Sequence, residues 1–115
     1  MSIRRVVPNI QSETPRQSQS FYVEVLGFQL AMDMGWIVTF VSPQNPTSQV
    51  SIVSNDPSGL HPDMSIEVDD VDAVYARAVA QQVEIAYALT DEPWGVRRFF
   101  ARDPNGRIIN VVSHR

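Results

Sequence analysis

The strongest constraint on this chain is that its strand, helix and turn signals run twice, the second pass displaced by roughly 60 residues. In the first pass residues 5–10 alternate, with Val6 and Ile10 on one side and Val7 and Asn9 on the other. That is strand patterning, and Pro8, which has no N–H for a ladder, points to an outer strand. Thr14-Pro15-Arg16-Gln17 is a helix start, with Thr14 as N-cap, Pro15 at the first helical position and Gln17 reaching back. Phe21, Tyr22, Val25 and Leu26 recur at helical spacing, and Gly27 supplies a left-handed stop. Strands are then predicted over 28–33, 36–42 and 49–54, with turns at Gly35 and at Pro43-Gln44-Asn45-Pro46.

Residues 55–62 are turn-rich and read as the connection between halves. The order then repeats. Met64, Ile66 and Val68 alternate with Ser65, Glu67 and Asp69, and either Asp69 or Asp70 caps a helix. Its apolar stripe is Val71, Val74, Tyr75, Ala78 and Val79. Strands follow over 83–87, 96–102 and 107–113, with Asp103-Pro104-Asn105-Gly106 as the last hairpin turn. Phe40-Val41-Ser42-Pro43-Gln44-Asn45 aligns with Ala101-Arg102-Asp103-Pro104-Asn105, and Val50-Ser51-Ile52-Val53-Ser54 aligns with Ile109-Asn110-Val111-Val112-Ser113. The expected fold is α+β: two tandem βαβββ modules, 1–56 and 63–115, in a single domain 1–115. One helix covers one face of each module, and the other faces form a curved mixed sheet around a cavity.

Length and composition set the outer limits. A chain of 115 residues buries about two thirds of its unfolded surface on folding, enough for one core without a staple. Cysteine is absent, which removes disulfides and thiol chemistry. The start, Met1-Ser2-Ile3-Arg4-Arg5, runs into Pro8 and Asn9 instead of the apolar stretch of a signal peptide, and no stretch suits a membrane span. A cytoplasmic protein without a membrane partner is the expectation. Net charge is −4 and every basic residue is arginine, scattered singly or in pairs, so nucleic acid is not an expected partner. The acidic balance leans weakly toward cationic ligands, with solubility as the plainer reading.

Alternation assigns side chains to faces. Val6, Ile10, Met64, Ile66, Phe99, Ala101, Ile109 and Val111 should cover the helices. Val7, Asn9, Thr39, Ser51, Ser65, Glu67, Arg98, Phe100 and Asn110 should line the concavity. Trp36 and Trp94, each beside a glycine, could give flat stacking surface at its rim. Glu67 is the candidate acid or base, and Arg98 could hold an anionic group or pair with Glu67. No serine has a histidine placed to activate it. Gln82 follows Gln81 at a helix end where glycine is the common stop, so either Gln82 is left-handed here or the helix ends differently.

Ser18-Gln19-Ser20-Phe21-Tyr22-Val23-Glu24-Val25-Leu26-Gly27-Phe28 resembles the S-x-x-F-Y-x-x-x-L-G-F first-helix signature of the glyoxalase/bleomycin-resistance/dioxygenase (vicinal oxygen chelate) superfamily. Glu67-Val68-Asp69-Asp70-Val71-Asp72-Ala73 resembles the strand-to-helix signature of its second half. Glu92-Pro93-Trp94-Gly95-Val96-Arg97-Arg98-Phe99 and Arg102-Asp103-Pro104-Asn105-Gly106 resemble its last hairpin. The superfamily includes lyases, isomerases, ring-cleaving dioxygenases, thiol transferases and metal-free drug-sequestering proteins, so fold does not choose among them.

The resemblance implies that an enzyme would bind a divalent metal with His and Glu from the first and last strands of both halves. By position those ligands fall here at Val7 or Asn9, at Asp63 or Ser65, and at Asn110, with Ser51 as its repeat partner. One carboxylate among neutral amides would hold an ion weakly. The two histidines, His61 in the linker and His114 beside the terminus, read as loop and terminal residues. No metal and no cofactor are expected. Three functions stay open: a metal-free protein sequestering an aromatic or polar metabolite or antibiotic, with Asn9, Thr39, Ser51, Ser65, Trp36, Trp94, Phe100 and Asn110 as ligand-binding residues; an enzyme with an unorthodox metal site or Glu67/Arg98 proton transfer; or an assembly module whose cavity has closed. Members of this length usually pair, so a homodimer is expected.

Overall fold

A computed structural model describes residues 2–114. The fold is α+β, and each half runs strand, helix and three strands. The chain divides into two compact units: a first unit, Val7–His61, and a second made of the chain up to Val6 together with the chain from Pro62 onward.

In the first unit β1 (Ile3–Gln11) continues from residue 7, and β2 (Gln29–Asp33), β3 (Ile37–Val41) and β4 (Gln49–Val53) follow. Their order is β2-β3-β4-β1. β1 and β4 run parallel, with Asn9 opposite Ser51, while β3 and β4 are antiparallel, with Thr39 opposite Ser51. The part of β1 before Val7 groups with the second unit, where Ser2 and Arg5 are tied to Asp69 and Glu67. Pro8 lies in the part of β1 that ends the first unit's strand order, as its missing N–H suggested.

The first helical segment differs from the single α-helix read from its spacing. It is a 3₁₀ turn, Pro15–Ser18, followed by a π-helix, Ser20–Val25. Leu26 N–H bonds to the Phe21 carbonyl, five residues back, at 3.1 Å. The helical spacing of Phe21, Tyr22, Val25 and Leu26 suggested one inward stripe. Of these only Tyr22 packs inward, joined by Val23, while Phe21, Val25 and Leu26 are exposed, because the π winding has about 4.4 residues per turn instead of about 3.6. Thr14 occupies the N-cap position without capping: its hydroxyl donates to Gln17 Oε1 at 3.1 Å. Gly27, at φ 89°, ends the segment in the left-handed conformation that costs glycine least. Tyr22, Val23 and Phe28 pack over Val38, Phe40, Val50 and Ile52 on β3 and β4, with the Tyr22 and Phe40 rings stacked at 5.3 Å. That cover stops short of β1. Ile10, expected against the helix, is 45% exposed, and Val6 is 49% exposed.

The second unit holds β5 (Met64–Val68), α1 (Val71–Ala80), β6 (Ile85–Asp91), β7 (Val96–Arg102) and β8 (Ile108–His114), in sheet order β5-β8-β7-β6. Asp70 is the cap of α1: its carboxylate accepts the Ala73 N–H at 3.1 Å. Gln82 takes φ 60°, with Gln82 N–H bonded to the Val79 carbonyl and Val83 N–H to the Ala78 carbonyl, both at 3.0 Å. That is a Schellman ending built on glutamine instead of glycine. Phe99 and Val111 form the core with Val68 and Val71, and Ile66, Ala101 and Ile109 pack against it as their alternation required. Tyr75 meets Phe99 edge-on at 5.0 Å, a contact that adds to the roughly 1.5–3 kcal/mol from burying each large apolar side chain.

Candidate functional site

The sheet faces turned away from these helices carry the candidate residues. In the first unit Asn9, Thr39 and Ser51 lie side by side, all buried. The Thr39 and Ser51 hydroxyls are 2.7 Å apart and satisfy one another. Trp36 sits in the turn before β3, three residues from Thr39, where its carbonyl accepts the Ser54 N–H at 2.8 Å.

In the second unit Ser65 of β5 and Phe100 of β7 flank Asn110 of β8 in register. Asn110 Nδ2 donates to Ser65 Oγ at 2.9 Å. Its Oδ1 is buried and accepts nothing. An orphaned buried acceptor costs about 1–3 kcal/mol unless a donor reaches it.

Two residues along the same face from Phe100 stands Arg98, in register with Val112. Its Nε donates to Glu92 Oε2 at 2.6 Å, and the Tyr87 hydroxyl donates to that same oxygen at 3.1 Å. The guanidinium carbon lies 5.4, 5.0 and 4.8 Å from the ring centroids of Tyr87, Trp94 and Phe100. The Arg98 and Glu92 side chains are only 4% and 8% exposed. A charge-assisted bond and cation–π attraction therefore act together in a place water barely reaches. Trp94, read as a rim residue, is one wall of this box.

Glu67 does not pair with Arg98. Arg5 Nε lies 3.2 Å from Glu67 Oε1, and His114 Nδ1 contacts Glu67 Oε2. Sequence reasoning named neither Tyr87 nor Glu92 as functional, and it set His114 aside. One signal for Glu92 was present. With Gly95 as the turn glycine, Glu92 falls opposite Val96, and Arg98 is then its diagonal neighbour on the same face. His114 gave no comparable signal, because its contact joins strands far apart in sequence.

Elsewhere in the first unit a polar cleft of about 110 Å³ is lined by Gln11, Ser54, Asn55, Asp56, Gly59, Leu60 and His61. His61 Nδ1 is buried without a partner.

The model of the Glyoxalase/Bleomycin resistance protein/Dioxygenase superfamily matches residues 3–111. The chain belongs to this superfamily. No curated protein matches it. Among solved structures, one described as NAD-dependent benzaldehyde dehydrogenase from Legionella pneumophila is 16% identical with a TM-score of 0.77, covering 96% of this chain and 99% of that one. A superfamily member from Vibrio splendidus 12B01 is 22% identical with a TM-score of 0.68, at 97% and 99% coverage. Methylmalonyl-CoA epimerase from Mycobacterium tuberculosis is 17% identical with a TM-score of 0.73, at 98% and 87% coverage. These likenesses concern the fold.

The residues of this superfamily member do not fit the divalent ion that its enzymes usually bind. Val7 is apolar and buried, and Asn9, Ser51, Ser65 and Asn110 are neutral. Asp63, the one carboxylate at a ligand position, accepts the Ile108 N–H at 3.1 Å and lies 4.0 Å from Arg107 Nη1. Among the described residues no three His, Cys, Asp or Glu side chains gather into a possible metal site. Amides and hydroxyls are poor competitors with the hydration of a divalent ion.

Proposed function

We propose that this superfamily member is a metal-free binding protein for a small organic molecule, an aromatic or polar metabolite or an antibiotic, sequestered in the cytoplasm. The supporting observation is the neutral polar group Ser65–Asn110, with Asn110 Oδ1 buried and accepting no bond. An acceptor in that state suits a ligand N–H or O–H, whereas a cation would demand carboxylate or imidazole. Asn9, Thr39 and Ser51 offer the same neutral chemistry in the first unit. In this reading the two modules serve as one domain, which the span of the family match favours, and the chain works as a homodimer.

The test is thermal stabilisation across a panel of aromatic metabolites and antibiotics. A ligand that stabilises the wild type and loses most of its shift in Asn110→Ala supports the reading. If no compound stabilises the protein, the binding reading fails and an assembly role takes its place.

A second reading, an enzyme that moves protons, is favoured by Glu67. A carboxylate against His114 Nδ1, with Arg5 on its other oxygen, orients an imidazole as an acid–base pair requires. Once a substrate is identified, turnover unchanged by both Glu67→Gln and His114→Ala would remove this reading.

A further inference from the structure

Arg98, Tyr87, Trp94 and Phe100 have the makings of a receptor for a carboxylate attached to a flat ring. The donors, Arg98 Nε and the Tyr87 hydroxyl, come from β7 and β6, and both converge on a single oxygen position. The rings of Trp94 and Phe100 stand 5.0 and 4.8 Å from the guanidinium carbon, against the cation that holds that position. The carboxylate that fills it comes from the turn. Glu92 begins a tight reversal in which its own N–H bonds to the Val96 carbonyl at 2.8 Å and Gly95 N–H returns to the Glu92 carbonyl at 3.2 Å. Those bonds hold the backbone of Glu92, so an exchange at that position needs its side chain to move and not the turn. Arg98 shares its face with Phe100 and Asn110, so the receptor adjoins the group assigned above to ligand binding.

A buried ion pair is a poor source of stability compared with apolar residues of the same volume, so stability alone gives little reason for one on a binding face. We propose that Arg98 and Tyr87 anchor the carboxylate of an aromatic organic acid, and that Glu92 is a tethered stand-in which the ligand displaces. This rests on the binding reading and names the ligand class for it. The exchange replaces one carboxylate with another at the same donors, so no buried charge is left unpaired. Glu92 moves to solvent.

The stand-in competes with the ligand, and that makes the proposal testable. Phenylacetate and its neutral isostere phenylacetamide are titrated by calorimetry, with the Trp94 indole N–H resonance followed by NMR. The wild type should bind phenylacetate weakly and shift that resonance. Glu92→Gln should bind phenylacetate at least tenfold more tightly and phenylacetamide no more tightly, and Arg98→Met should lose phenylacetate. If Glu92→Gln does not fold, Glu92→Asp, which keeps the charge but withdraws it by one methylene, should gain at least threefold. Binding in the folded Glu92 variant no tighter than in the wild type overturns the proposal, as does equal preference for the amide. Should neutral panel compounds stabilise the wild type while phenylacetate binds no variant, this proposal falls and the binding reading stands. If nothing binds, both fall.

Discussion

The pair Arg98–Glu92 gives the sharpest prediction about stability. Its side chains are 4% and 8% exposed, which places it among buried pairs and outside the screened surface regime. Arg98→Met leaves the Glu92 carboxylate buried without that cation, and Glu92→Leu takes from the buried guanidinium the carboxylate that its Nε meets. Each should cost about 3–5 kcal/mol. Combining them removes both charges, leaving Tyr87 as the main loser, because its hydroxyl donates to Glu92 at 3.1 Å. An orphaned hydroxyl costs about 1–3 kcal/mol. The double variant should therefore be more stable than either single variant, and adding Tyr87→Phe should recover most of the remainder. Urea unfolding of the four variants measures this, with midpoints compared at constant slope. Single substitutions costing under about 1 kcal/mol, the range of exposed pairs, would refute the argument.

Three further outcomes are expected. Asp33, Asp69 and Asp103 all titrate below the ordinary aspartate range: Asp33 through hydrogen bonds from the Arg16 guanidinium and the Gly35 N–H, Asp69 through the N–H and hydroxyl of Ser2, and Asp103 mainly through the Arg107 N–H. The unfolded chain therefore binds more protons in the interval between folded and unfolded pKa values. The stabilisation is complete above about pH 4 and is lost as pH falls through the lower, folded values. Urea midpoints between pH 7 and pH 2 should show this, and a flatter profile is expected for the triple Asp→Asn variant. Gln82→Gly relieves a side chain held at φ 60° and should raise stability by about 1 kcal/mol in the same assay; no gain would mean the left-handed position is not strained. Phe40→Ala empties the fully buried centre of the first unit's core and should cost about 3–5 kcal/mol, against near-neutral change for Ala at Ile3, which is 67% exposed.

Period-2 alternation with Gly and Pro turns made the strands legible, and alternation also placed Phe99, Ala101, Ile109 and Val111 against the helix correctly. Gly27 and the pair Asp69-Asp70, of which Asp70 is the cap, marked helix ends by local chemistry that does not depend on the rest of the fold. What failed depended on reach. Val6 and Ile10 have the alternation of buried residues yet are exposed, and in the first unit the helical segment packs over Val38, Phe40, Val50 and Ile52 of β3 and β4 instead of over Ile10. The π winding rests on five-residue hydrogen bonds, that from Leu26 N–H to the Phe21 carbonyl among them, which leave no trace in composition. At the candidate site, strand parity set Arg98, Phe100 and Asn110 on one face, but partner choice needed the turn. Arg98 takes Glu92 from the adjoining hairpin, while Glu67 takes Arg5 and His114.

Neutral side chains and the single carboxylate of Asp63 at the superfamily's ligand positions cannot retain a divalent ion. Equilibrium dialysis of the purified protein against iron(II), manganese, nickel or zinc, followed by elemental analysis, measures it directly. Less than a tenth of an equivalent of any ion should remain per chain, with no change in melting temperature. One equivalent retained by the wild type and lost in Asn110→Ala would contradict the account.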